Sequence, residues 1–201
     1  MSSRIFKRKK LSTMKKVLVI GATGSLAAVV IEELKKQTDV QLTLFARNTD
    51  RLLTTGNIKI IQGDAMNYNH VKNAVSGQDI VYLNLAGNLE AMAKNIVKAM
   101  QEASVKRIIA ISSIGIYETP LKPILKPYRA LADVIENSGL EYTILRPDWF
   151  TNTNEVAYML TKKGQPENGS AISRKSIATF ITTLVQNPSL HVNENLGISK
   201  P

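Results

Sequence analysis

The sequence runs to 201 residues, 44% hydrophobic and 21% charged, which suits one globular domain with a sizeable buried core. No apolar run nears the roughly 20 residues of a bilayer-spanning helix, and the lack of cysteine excludes disulfides and thiolate metal sites and fits a cytoplasmic setting. The formal net charge of +10 is a weak argument for nucleic-acid binding, because Arg4, Lys7, Arg8, Lys9 and Lys10 carry half of it within residues 1–13.

That first segment contains no acid and lacks the apolar core of a secretory signal, so it reads as a basic disordered tail ahead of a single domain over residues 14–201. Attraction to nucleic acid through this tail is the least favoured of the functional readings. Val17 to Ile20 is a continuous apolar run, as expected of a parallel strand covered on both faces. Ser25 to Gln37 carries a helical apolar stripe through Leu26, Val29, Val30 and Leu34. Strands are expected at Gln41–Phe45 and Ile58–Ile61, then a short helix at Asn69–Ser76 ended by Gly77. Asp79–Asn84 reads as a fourth strand, Leu89–Ala103 as a long helix and Arg107–Ser112 as a fifth strand.

Pro120, Pro123 and Pro127 punctuate the next loop, and Pro127 suits the first turn of a helix running to Asn137. Glu141–Leu145 is a sixth strand. Residues 151–172 read as partly helical and end in a loop between Gly164 and Gly169. Ser173–Gln186 is a final amphipathic helix, with a short strand expected at Leu196–Ser199. Strands alternating with helices in this way predict an α/β fold, a three-layered, doubly wound parallel sheet of the Rossmann type.

The first strand runs directly into Gly21-Ala22-Thr23-Gly24-Ser25-Leu26-Ala27, which opens a helix. Residues without side chains let a backbone approach a diphosphate, while a helix start offers free N–H groups and the positive end of its dipole. Ala27 is small enough for close helix–sheet packing, so the segment has the character of a dinucleotide fingerprint. At the end of the second strand stands Arg47, where NAD-selective sites usually place a carboxylate. A guanidinium there offers a planar fork of donors to a 2′-phosphate, so NADP is expected over NAD, with Arg51 as a possible second contact. Asp64, after Gly63, stands where an adenine amino group could be read; a plain turn aspartate is the competing account. Asn84-Leu85-Ala86-Gly87 adds small residues at the carboxyl end of the fourth strand. His70 and His191 lack metal-ligand spacing, and no metal is expected.

Gly21-Ala22-Thr23-Gly24, Arg47, Gly63-Asp64, Ile111-Ser112-Ser113, Tyr142-Thr143-Ile144-Leu145-Arg146-Pro147 and Ile172-Ser173-Arg174 together resemble the atypical short-chain dehydrogenase/reductase family, in its NmrA-like branch, over residues 15–199. The resemblance implies a Rossmann fold, NAD(P) binding and either reduction of a small planar acceptor or cofactor sensing without chemistry. Cofactor contacts are expected from Gly21, Ala22, Thr23, Gly24, Ser25, Leu26, Arg47, Asp64, Ala65, Leu85, Ala86, Gly87, Ser112 and Pro147. Catalysis in the wider superfamily uses a serine, a tyrosine and a lysine four residues after the tyrosine. Ser113 matches the serine and Tyr128 the tyrosine, but the lysine position holds Ala132. Without that charge a tyrosine is a poor general base at neutral pH, which puts ordinary alcohol dehydrogenation in doubt. The preferred function is therefore an NADPH-dependent reductase of a flavin, quinone or similar acceptor, the alternative being a non-catalytic redox sensor. Trp149 and Phe150 are candidates to line the acceptor end, although core packing is the commoner role for such residues. A homodimer is compatible with the fold, and nothing in the sequence selects it.

Overall fold

The computed structural model describes residues 14–53 and 56–201. The basic segment 1–13, and the tail expected there, lie outside the described residues. Each strand of the sheet is formed by a run whose alternate side chains enter two different cores. In β1 (Lys15–Ile20), Val17 and Val19 face one core and Leu18 and Ile20 the other, all four fully buried. The same division recurs in β4 (Ile80–Leu83) and β5 (Arg107–Ile111). Burial on both faces explains why these runs read as continuous apolar stretches.

The remaining sheet strands are β2 (Val40–Ala46), β3 (Ile58–Gln62), β6 (Glu141–Pro147), β8 (Met159–Lys162) and β10 (Glu194–Ser199). Their order is β3-β2-β1-β4-β5-β6-β10-β8, parallel throughout except for β8, which pairs antiparallel to β10 at the edge. Helices α1 (Ser25–Lys35) and α5 (Arg174–Gln186) cover one face. Helices α2 (Tyr68–Val75), α3 (Leu89–Glu102) and α4 (Lys126–Glu136), the last led in by a 3-10 turn at Pro123–Leu125, cover the other. This is the three-layered, doubly wound arrangement expected. The chain grows outward from β1 to β3, then returns to β4 on the other side, so the order reverses between β1 and β4. Crevices at the carboxyl ends of strands beside such a reversal are where open α/β sheets bind ligands.

Residues 151–172 depart from the partly helical expectation. They contain β8 and a two-stranded ribbon of β7 (Phe150–Thr151) with β9 (Ile172–Ser173), and no helix. Tyr158 and Leu160 pack against the α1–α5 core, which holds this stretch extended along the sheet edge. No helix among the described residues is long and apolar enough to cross a membrane.

Candidate functional site

A cleft of about 1030 Å³ runs along the carboxyl ends of the strands, at the upper end of the range for ligand cavities. It brings together Gly21, Thr23, Gly24, Ser25, Leu26, Arg47, Asp64, Ala65, Leu85, Ala86, Gly87, Ser112, Ser113, Tyr128 and Pro147. Ala22 is the exception among the expected residues. Its methyl is buried in the α1–α5 core, under the turn. Arg51 is exposed and does not line the cleft.

The turn after β1 is held by its own backbone. Gly21 and Ala22 donate to the Phe45 carbonyl, and Gly24 N–H closes back on the Gly21 carbonyl at 3.0 Å. Gly21 has φ +86°, and a Cβ there would lie 2.0 Å from the Asn84 carbonyl oxygen, so only glycine fits between β1 and β4. The start of α1 is left open in a way most of its neighbours are not. Asn67, Asn88 and Ser173 cap α2, α3 and α5 with side-chain oxygens, whereas the N-cap of α1 is Gly24, which has none to offer. The N–H groups of Ser25 and Leu26 have no acceptor among the described residues, and the first turn carries no acid. Unspent donors and an uncompensated dipole aimed into a cleft fit a phosphate group. The residues present therefore fit the diphosphate of a dinucleotide.

Farther along, Arg47 is exposed at the end of β2, with no carboxylate within ion-pair distance among the described residues. Asp64 lines the cleft, but one of its oxygens accepts the Met66 N–H at 2.9 Å in the turn role that competed with the adenine reading. The loop that carries it is fastened from below by Asn95 of α3, whose amide donates to the Ala65 and Met66 carbonyls, both at 3.0 Å.

At the opposite end Ser113, Tyr128, Lys122, Ile124 and Trp149 line the cleft. Ser112 is buried, and its hydroxyl donates to the Tyr128 carbonyl at 3.1 Å, fastening the first turn of α4 to the end of β5. The Ser113 hydroxyl donates to the Ile114 carbonyl at 3.2 Å. Ala132 is fully buried in the second core, the one beneath α2, α3 and α4, so the position the triad lysine would occupy belongs to the packing of α4. Arg129 does not substitute for it: its guanidinium pairs with Asp133 and lies over the Tyr117 ring. Trp149 is 83% exposed and Ile124 76% exposed. The core-packing expectation for Trp149 is thus overturned. Pro147 ends β6, and the chain leaves the sheet before the indole can turn inward.

Two features were given no role from sequence, although Arg146 and Arg174 both stand in motifs quoted there. One is a buried polar network behind the Ser113 loop. Arg146 is 1% exposed and donates to Glu167 (2.6 Å) and Asn195 (2.5 Å), and the other Glu167 oxygen accepts the Gly115 N–H at 3.0 Å. Asn195 in turn donates to the Tyr117 hydroxyl, and burial beside Glu136 pushes Tyr117 well above the ordinary tyrosine range. The other is Arg174, which reaches the start of α1 from the start of α5. No cluster of His, Asp and Glu among the described residues could hold a metal ion.

Residues 21–188 match the family described as NAD(P)H-binding. A Rossmann-fold NAD(P)-binding family protein from Shigella flexneri is 44% identical, with 94% of each chain covered and a TM-score of 0.86. A short-chain dehydrogenase/reductase from Veillonella parvula, solved in complex with NADP, shares the fold at 23% identity and a TM-score of 0.84, over 93% of this chain and 95% of that one. An isoflavone reductase homolog from Nicotiana tabacum is 25% identical, covering 94% of this chain and 70% of its own length.

Proposed function

The chain belongs to the NAD(P)H-binding family, and from that premise we propose that it is an NADPH-dependent reductase of a small planar acceptor such as a flavin or a quinone. One observation carries the reading: a single cleft joins the phosphate-ready turn to an end lined by two hydroxyls and a largely exposed indole. The resemblance to short-chain dehydrogenases/reductases and the names of the NADP-bound and isoflavone-reductase-like relatives support it.

When bound, the nicotinamide supplies a hydride. Gly21, Gly24 and the amides of Ser25 and Leu26 hold the diphosphate, and Arg47 takes the additional 2′-phosphate. Leu85, Ala86 and Gly87 leave room for the ring, and Ser113 and Tyr128 orient polar atoms at the acceptor end. With Ala132 in the core, the position four residues after Tyr128 carries no charge. An acceptor that draws its proton from water needs none, and a flat apolar molecule is held by the Trp149 indole and Ile124.

NADPH consumption measured against a panel of flavins and quinones tests the proposal, with turnover expected for at least one. A protein that binds NADPH yet is silent across the panel is the second reading, a redox sensor, which the burial of Ala132 favours. Titration calorimetry tests the cofactor assignment. NADPH is expected to bind at least about tenfold tighter than NADH, the scale of one charge-assisted hydrogen bond, and Arg47→Ala to erase the difference. Equal affinities in the unaltered protein would refute it.

A further inference from the structure

Resting on the reading of the cleft as a dinucleotide site, we infer that Arg174 is a diphosphate-binding residue that also fixes the segment leading to the acceptor end. Arg174 is the first residue of α5, held there by Ser173, whose hydroxyl accepts the Ser176 N–H at 2.9 Å. Its guanidinium Nε donates to the Ser25 hydroxyl at 3.3 Å, and Ser25 is the first helical residue of α1. Its Nη1 donates to the Thr151 carbonyl at 3.3 Å and to Asn152 Oδ1 at 2.7 Å, and its plane lies 5.0 Å from the Phe150 ring centre.

What the guanidinium lacks is an acid. Among the described residues no carboxylate lies within ion-pair distance of it, although its neighbour Lys175 pairs with Glu33, and Glu155 is taken by Lys200. Left so, a full positive charge sits beside the positive end of α1 and the unsatisfied amides of Ser25 and Leu26, an unfavourable arrangement. An anion at that point reverses the sign of every one of these interactions. Arg174 is half-buried and braced on three sides, so its donors are ordered before any ligand arrives, which lowers the entropy lost on binding. The same bracing holds Phe150, Thr151 and Asn152, directly after Trp149. Neutralising the diphosphate and setting the wall of the acceptor end thus depend on one side chain.

Arg174→Gln keeps a hydrogen-bond donor for Thr151 and Asn152 but removes the charge; Arg174→Lys keeps the charge but not the fork. Titration calorimetry with NADP and with 2′-AMP, which has no diphosphate, separates charge from bracing. The glutamine variant is expected to bind NADP about tenfold more weakly and 2′-AMP as before, and the lysine variant to recover most of the loss. The chain's one tryptophan, Trp149, supplies a second readout: its fluorescence change on NADPH binding should saturate at correspondingly higher concentration in the glutamine variant. Unchanged NADP affinity in Arg174→Gln, or a parallel loss for 2′-AMP, overturns the assignment. Failure of the unaltered protein to bind NADP would instead sink the cofactor reading on which it rests.

Discussion

Replacing Gly21 and Gly24 in turn by alanine separates what the turn does for the fold from what it does for a ligand. At Gly21, φ is +86°, and a Cβ would stand 2.0 Å from the Asn84 carbonyl oxygen and 2.9 Å from its carbon. The left-handed backbone costs an ordinary residue about 1–2 kcal/mol. The collision is with main chain, so β1 and β4 must part locally, at a further cost of about 1–3 kcal/mol. With a urea slope of about 2–3 kcal/mol per molar, the upper end of the usual range as suits a chain of this size, the combined cost of about 2–5 kcal/mol should lower the midpoint by about 1–2 M. At Gly24, φ is −68°, a value open to any residue. The added methyl would meet Asn84 Nδ2 at 3.1 Å and the Gly21 oxygen at 3.3 Å, and an amide tip can yield by that little. Gly24→Ala should therefore unfold within about 0.5 M of the unaltered protein, yet lose about tenfold in NADPH affinity, because the methyl stands where the backbone approaches the phosphates. An unshifted midpoint for Gly21→Ala, or undiminished NADPH binding by Gly24→Ala, would refute this division of roles.

Ala132→Lys, the substitution that restores the triad on paper, should place an ammonium inside the second core and destabilise by about 3–5 kcal/mol in urea unfolding; a stable variant with new alcohol dehydrogenase activity would contradict that burial. Glu167→Ala strips the buried Arg146 guanidinium of the one carboxylate that pairs with it among the described residues and the Gly115 amide of its acceptor, and a similar loss of about 3–5 kcal/mol is expected; a change below about 1 kcal/mol would show that water takes its place readily. Hydrogen bonds from Lys15 and Gln186 hold the Asp39 carboxyl below its ordinary value of 3.8. A depressed carboxylate contributes stability that is full above that value and lost as the pH falls through the lower folded one, so Asp39→Asn should lower the neutral plateau of a stability–pH curve by the modest contribution of a partly exposed pair, converge with the unaltered protein in strong acid, and so flatten the acid limb below 3.8. Superimposable acid limbs would count against this ion pair.

How far the molecule is legible from its sequence depends on where each element finds its partner. Val17–Ile20, Arg107–Ile111 and Leu89–Glu102 announce themselves because their burial pattern is written along their own length. The phosphate turn was legible for the same reason: Gly21 to Leu26 form one contiguous piece of chain, complete with strand, turn and helix start. Phe150–Thr151 and Met159–Lys162 were not, since two to four residues carry no period and owe their strand character to Ile172–Ser173 and Glu194–Ser199 far along the chain. Nor was the Arg146–Glu167 pair, in which a charge stands inside an apolar strand and its partner lies in a loop. Trp149 shows the converse: its residue type favours burial, yet the end of β6 leaves it facing solvent.

Arg174 stands in a motif quoted from sequence, yet its role was not legible there, for a reason that also explains its place. In a doubly wound sheet a helix that follows a parallel strand begins at the carboxyl end of the sheet, where ligands bind. Helix α1 begins there after β1, and α5 packs beside it on the same face. Since Arg174 bonds to Ser25, the start of α5 stands against the start of α1 although 149 residues separate them. The residue that opens α5 therefore lies beside the first residue of α1. A carboxylate there would compete for the amides of Ser25 and Leu26, and an apolar side chain would leave an anion half-neutralised. An arginine with no acid of its own among the described residues is the side chain that lets the two helix starts act on one ligand.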